Sequence, residues 1–496
     1  MSFCVNFPLF SVVACLIFSV ISGVLPGKYA RALSLCLTAA ISVTSGVLLF
    51  YVIGRGEAVE YLMGHFPHPW GNELRISILE PLFSMVFSCV MFLCMLGGRK
   101  HLMEDLGADK RNLYYVMIDL VQAALLVLVY TNDLFTGYVF IEICTLASCG
   151  LLMIRQLGRT TLASVRYMIF SLVGSGLFLL GVVVLYNVTG HLLMPDLRQS
   201  VSELWSQGLY VVPVASAICL MTVGIAVKSG LFPCHFWMPD TYGFATPCSA
   251  GILSGLVSKG YIFFLIKIIF DIFGTDVFYE SGVHNVLYVM GALGIMVGSI
   301  SAMQEKDIFR MTAYSSAAQI GYIYMGIGIS PVLGVLAALF HILTHALTKP
   351  PLFLAAARLS DTAGGRKNFR ALQGAGWSNR MAGAAFTMEA LSMIGLPLTM
   401  GFISKYLFAL AALRANVKLL PTLIVLAIST VLNTVYFART IIRLYGRQTE
   451  PLADPLPVGK QLRFAIAAML FAALNLALGV FSSPLVDLLR QGLEMF

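Results

Sequence analysis

Lys228-Ser-Gly-Leu-Phe-Pro233 interrupts an apolar run that extends from about residue 210 to residue 238. Gly230 and Pro233 weaken a helix there, because glycine adds backbone entropy and proline lacks an amide donor and crowds the preceding turn. The run is long enough to cross the hydrocarbon of a bilayer, which takes about 20 apolar residues. A charge at that depth costs at least ~2.5–3.5 kcal/mol, so Lys228 needs a reason to be there. The same arrangement recurs at Gly395-Leu-Pro397-Leu-Thr-Met-Gly401, with Lys405 four residues further on.

Outward from these two breaks, apolar runs recur along all 496 residues, of which 58% are hydrophobic and 11% charged. A soluble domain carries about 25% charged residues, so a soluble enzyme, a secreted disulfide scaffold and a disordered chain are excluded. Barrel strands alternate in hydrophobicity, and runs such as Ala123 to Val129 do not. The sequence therefore reads as an all-α polytopic membrane protein. About fourteen spans are expected, at 8–25, 32–53, 79–97, 113–131, 134–154, 163–186, 210–238, 244–270, 285–303, 309–329, 332–357, 382–412, 420–442 and 464–482. The uncharged Met1 to Phe7, followed only later by Lys28 and Arg31, marks the first as an uncleaved helix. Lys and Arg alternate between loops, twenty on one side against six on the other. The positive-inside rule then predicts an even number of spans with both termini outside, and the expected location is the cell inner membrane.

Other chemistries leave no signature. The ten cysteines contain no C-x-x-C pair, so no iron–sulfur or zinc site is expected. The formal charge of +8 is spread between spans, which argues against nucleic acid. Gly174-x-Gly176 and Gly181 lie within an apolar span, where glycines serve close helix packing. No cofactor and no redox or hydrolytic site is expected in this chain.

Six cations fall within the spans: Lys228, Lys259, Lys267, Lys349, Lys405 and Arg439. Lys267 and Arg439 lie near span ends, where a long side chain is expected to snorkel to the headgroups. The other four lie at or near mid-span, accompanied by the acids Glu142, Asp119 and Glu389. His341, His345 and Lys349 recur at i, i+4 and i+8, which aligns three titratable groups on one helix face over about 12 Å. Pro350 and Pro351 follow at once and leave two carbonyls without helical donors, which predicts hydration or a bend beside Lys349. Ionisable groups in low dielectric change protonation state with little driving force, which a proton relay requires.

A lysine beside a helix break, appearing twice, suggests an inverted duplication of the transporter type. The expected organisation is residues 1–112 for helices one to three, 113–272 and 284–445 for two five-helix repeats, and 446–496 for a last helix and tail.

At these residues the chain resembles the antiporter-like membrane subunits of respiratory complex I, Mrp-type Na+/H+ antiporters and membrane-bound hydrogenases. The resemblance covers roughly residues 70 to 445 and rests on motifs in matching order. They are Val227-Lys-Ser-Gly-Leu-Phe-Pro-Cys-His-Phe-Trp-Met-Pro-Asp240, Thr246-Pro-Cys-Ser-Ala250, Ser254-Gly-Leu-Val-Ser-Lys259, Tyr314-Ser-Ser-Ala-Ala-Gln-Ile-Gly321, His345-Ala-Leu-Thr-Lys349 and Gly401-Phe-Ile-Ser-Lys405. Gly64 to Gly71 and Arg75 resemble the lead-in of the Mrp D-type protein, as does lysine at 405.

The resemblance implies a Glu142–Lys228 pair, Lys259 as a relay lysine, His341, His345 and Lys349 as the link, and Lys405 as the terminal group. His235, Asp119 and Glu389 join as further candidates. Asp119 fits either an inter-subunit contact or the path, and Glu389 fits an extra carrier, a partner for Lys405 or an acid at a span end. Implied partners are other membrane subunits, including homologous antiporter-like ones, the bilayer, H+ and, as an open question, Na+. Against a proton-translocating role stand two alternatives, a structural subunit with an inactive relay and a stand-alone solute transporter.

Overall fold

The structure is a computed structural model that describes residues 2–66, 71–448, 451–452 and 458–496. Residues 67–70 of the Gly64 to Gly71 lead-in lie outside the described residues. The chain folds as α1 (Phe7–Val24), α2 (Gly27–Arg55), a two-stranded sheet, α3 (Leu79–Gly97), α4 (Arg111–Tyr130), α5 (Leu134–Met153), α6 (Gly158–Thr189), α7 (Val211–Ser229) and α8 (Pro247–Glu280). Then come α9 (Val283–Gln304), α10 (Ile308–Ile329), α11 (Leu333–Thr362), α12 (Arg380–Ile394), α13 (Met400–Leu413), α14 (Leu419–Leu444), α15 (Val458–Val480) and α16 (Ser482–Glu494). The sheet pairs β1 (Val59–Leu62) with β2 (Glu73–Ile76), antiparallel, with Val59 opposite Ile76.

Among the described residues, twelve helices are long and apolar enough to cross a membrane. The two remaining spans of the sequence reading fall on α10 and on the pair α12/α13. The α12/α13 pair is divided by Gly395–Thr399, where Gly395 takes a φ of +93° and Leu398 of +74°. The break after Lys228 is equally visible: α7 stops at Ser229, and Gly230 takes the left-handed conformation that glycine adopts without strain. By contrast α11 runs unbroken through Pro350 and Pro351. Pro350 packs against glycines on α8: a β-carbon at Gly255 would lie 2.7 Å from Pro350 Cγ, and one at Gly251 3.2 Å from Pro350 Cα.

Glycine-mediated approach also fixes the helix carrying Lys228. α6 and α7 cross at Gly174 and Gly224 so closely that a β-carbon on either would meet the other's carbonyl oxygen, at 2.7 and 2.5 Å. Without bulk between them the two backbones gain close van der Waals contact. α8 and α11 form the centre of the molecule, with nearly every side chain buried. α8 contains two wide π turns, Leu253–Val257 and Ile269–Phe273, a distortion that often accompanies functional sites.

The tail after the last long helix is more ordered than the sequence reading supposes. α16 is amphipathic, burying Leu485, Leu489 and Leu493 at i, i+4 and i+8, and it folds back against α3 and α11. The helix ends and connections on one face are tied together by Arg155–Asp105, Lys100–Asp361 and Arg166–Asp240 ion pairs. We refer to this as the basic face.

Candidate functional site: a buried ionisable axis

Lys228 ends α7, and its stem packs beside Gly174 while its amine reaches into α5 and α6. The ammonium donates to Thr145 Oγ1 at 2.8 Å, Ser175 Oγ at 2.5 Å and the Ser171 carbonyl at 3.2 Å. Glu142 Oε1 lies 3.6 Å from the same nitrogen. The lysine side chain is fully buried while that of Glu142 is 23% exposed at the edge of the chain. The seam around Lys228, lined by Tyr167, Trp237, Tyr242 and Ser258, has no room for a water molecule in this conformation.

From Lys228 a series of hydroxyl and carbonyl groups runs toward the second break. Thr145 Oγ1 is 3.5 Å from Tyr261 OH, two residues beyond Lys259 on α8. Lys259, with no exposed surface, donates to the Ser254 carbonyl at 2.5 Å inside the first π turn. The Ser254 hydroxyl lies 2.9 Å from that of Ser316 on α10, which donates to the Thr312 carbonyl. That carbonyl also accepts from Lys349, 3.2 Å away, and Lys349 donates to Ser315 Oγ at 2.7 Å. Tyr436 of α14 closes this end by donating to Ser315 Oγ.

His345 and His341 continue along α11. Both ring nitrogens of His345 are buried without a hydrogen-bond partner among the described residues. His341 Nδ1 lies 2.7 Å from Ser404 Oγ, and the two imidazole centroids are 6.4 Å apart. Ser404 precedes Lys405, whose ammonium donates to the Ile394 carbonyl at 2.6 Å and to Thr430 Oγ1 at 3.0 Å. Ile394 is the last residue of α12, so Lys405 caps the carbonyl end exposed by the break. Hydroxyls both donate and accept: Thr145 contacts Lys228, Ser315 contacts Lys349 and Ser404 contacts His341. Hydroxyls thus extend the line of ionisable groups, with His345 a member that none of them reaches among the described residues.

The structure brings together Glu142, Lys228, Lys259, Lys349, His345, His341 and Lys405 on one band from α5 to α13. The three further candidates lie elsewhere. His235 is buried in the first break, its ring stacked on Phe236 with a centroid distance of 4.6 Å. Asp119 is fully buried and accepts from Ser34 Oγ at 2.9 Å and Ser22 Oγ at 3.3 Å. It therefore faces the first two helices, neither at the chain surface nor on the band. Glu389 accepts from Asn475 Nδ2 at 2.7 Å and is buried in mid-helix, which disfavours the span-end alternative among its three. No ion pair joins it to Lys405 among the described residues. Asn475 also accepts from Ser392 Oγ at 3.1 Å and the Met400 amide at 3.2 Å, so α15 ties both sides of the second break.

Lys267 requires a correction. It does not snorkel: its side chain is fully buried and its ammonium lies 3.5 Å from Glu80 Oε1, also fully buried. The partner comes from α3, far away in sequence, and supplies the compensation that a lone lysine would seek at the headgroups. Arg439 behaves closer to expectation, reaching the Glu305 carbonyl at 3.2 Å in a loop of the basic face.

A many-helix membrane bundle with broken helices and a buried line of lysines belongs to the class of antiporter-like subunits. The family described as NADH:quinone oxidoreductase/Mrp antiporter, TM matches residues 131–432, and the chain is a member of it. It is 34% identical to the N-type subunit of the NADH-quinone oxidoreductase of Desulforudis audaxviator, with 91% of this chain and 89% of the relative covered. It is 28% identical to the D-type component of the Na(+)/H(+) antiporter of Alkalihalophilus pseudofirmus, over 85% and 83% of the two chains. Its fold matches a chain of an archaeal membrane-bound sulfane sulfur reductase with a TM-score of 0.87 at 24% identity, covering 100% and 98% of the two chains. A chain of the Mrp complex from Dietzia gives 0.87 at 23% identity, covering 99% and 97%.

Proposed function

We propose that this antiporter-like membrane subunit translocates protons along the band from Glu142 to Lys405. The observation that carries the reading is the line of buried amines and imidazoles with hydroxyls hydrogen-bonded to several of them, inside helices that lipid would otherwise require to be apolar. Protons move by exchange between neighbouring groups, with the Glu142–Lys228 pair holding or releasing the charge at one end and Lys405 receiving it at the other. In this reading admission of water to the tightly packed seam around Lys228 opens the path.

The same reading assigns fourteen crossings, with 113–272 and 284–445 as inverted five-helix units, in the cell inner membrane with both termini outside. It also assigns other membrane subunits as partners, homologous antiporter-like subunits among them. The exposed edge of Glu142 then faces a neighbour. The proposal covers a host of either kind, redox-linked or Na+-exchanging.

The test is Lys228→Ala in the reconstituted complex. Assembly with loss of proton flux is expected; assembly with flux unchanged removes Lys228 from the path.

A further inference from the structure

A second group of buried charges lies off the band, where α3, α4 and α8 end on the face opposite the basic one. Lys267 and Glu80 form a fully buried pair at 3.5 Å. One turn further along α8, Asp271 is paired with Arg75 of β2, and their side chains are 3% and 13% exposed. Lys267 also donates to the carbonyls of Val129 and Thr131, both at 3.0 Å. Glu80 Oε2 accepts from the Ser77 hydroxyl at 2.5 Å and from the Ser77 amide at 2.7 Å. The last residues of the chain close the group from outside: Arg75 donates to the Met495 carbonyl, and the Phe496 ring covers its guanidinium at 5.0 Å.

Two features set this quartet apart from a structural clamp. Removing four charges from water costs several kcal/mol per ion, and apolar replacements of equal volume commonly serve stability as well or better. Moreover Glu80 Oε1 and Asp271 Oδ2 are buried without a hydrogen-bond donor among the described residues, whereas buried polar atoms are satisfied with few exceptions. Glu80 Oε1 is ion-paired with the Lys267 ammonium at 3.5 Å but accepts no hydrogen bond among the described residues, which leaves it a lone pair for a proton. The quartet also shares α8 with Lys259, eight residues and about 12 Å away along the helix axis.

We propose that Glu80 and Lys267 form the proton-exchange port between the band and the face opposite the basic one, with Arg75 as its outer cover. This deepens the proton-translocation reading and rests on it. In the transfer step a proton leaves Lys267 Nζ for Glu80 Oε1, turning an ammonium and a carboxylate into a neutral amine and a neutral acid. Glu80 then releases the proton past Ser77 when Arg75 swings from the Met495 carbonyl. Lys267 regains its proton from the Lys259 side, so no charge accumulates over the cycle.

The isosteric Glu80→Gln variant, which keeps an acceptor for Lys267 but cannot carry a proton in this way, tests the port in the reconstituted complex. Full assembly with proton flux at least tenfold below wild type is expected. If that variant does not assemble, the paired change Glu80→Leu with Lys267→Met removes both charges together, and the same loss of flux is expected. Flux within twofold of wild type in either assembled variant overturns the port, as does failure of both to assemble, which would assign the quartet to folding. Lys228→Ala run in parallel separates the claims: loss there with normal flux in Glu80→Gln refutes only the port, and normal flux in both refutes the reading beneath it.

Discussion

Replacing Glu142 with glutamine tests the charge partnership with minimal change of shape. Two unit charges 3.6 Å apart attract by about 4–5 kcal/mol at an effective dielectric of ~20. The partial exposure of Glu142 admits screening, which brings the attraction to about 2–3 kcal/mol, above the range of fully exposed pairs. Lys228 keeps its contacts with Thr145, Ser171 and Ser175, so the amine stays in place while its anionic partner disappears. If proton release depends on that partner, flux falls by roughly 30- to 100-fold, at a factor of ten per 1.4 kcal/mol. The assay is acidification or alkalisation of proteoliposomes containing the assembled complex, with subunit content checked by co-purification. Flux within twofold of wild type in fully assembled Glu142→Gln complex would refute the reasoning, because the pair would then contribute to neither holding nor releasing the proton.

Other outcomes follow from the same geometry. Lys405→Met leaves the Ile394 carbonyl and Thr430 hydroxyl without their shared donor and removes the terminal carrier, so flux is lost in complex that still co-purifies. Asn475→Ala removes the bonds to Glu389, Ser392 and the Met400 amide, and a loss of about 3–9 kcal/mol, at 1–3 kcal/mol for each of the three orphaned groups, is expected in thermal unfolding. Gly479→Ala places a β-carbon 2.4 Å from the Leu398 carbonyl oxygen; the second break must shift, at a cost of about 1–3 kcal/mol read as reduced thermal stability. Asp119→Asn keeps acceptors for Ser22 and Ser34 away from the band, so flux within twofold of wild type is expected, and a tenfold loss would bring Asp119 onto the path.

The two breaks and the lysines beside them were legible in the sequence because glycine and proline mark backbone conformation locally. The stripe His341, His345 and Lys349 was legible because helical spacing is local too. What escaped is non-local. Lys267 reads as a span-end lysine until Glu80 is brought beside it from α3, and Asp119 gives no sign that its partners are serines of α1 and α2. The hydroxyls along the band look like ordinary small residues of packed helices, although motif Tyr314 to Gly321 contains two of them. Pro350 and Pro351 predict a disturbed helix only while the glycines at 251 and 255 are out of view. Helix α16 had a readable pattern in Leu485, Leu489 and Leu493 that a search for long apolar runs passes over.

The crossing of α6 and α7 bears on how a charge can travel at all. With Gly224 seated on the neighbouring backbone one turn before Lys228, the post that carries the amine has no freedom to slide or roll without a collision. Displacement of the charge is left to the four-carbon tether and to the swivel at Gly230, so a stroke is confined to a few ångströms. A larger side chain at Gly174, whose added β-carbon would stand 2.7 Å from both the Gly224 carbonyl oxygen and Lys228 Cγ, would force α6 and α7 apart and carry the root of that tether with them.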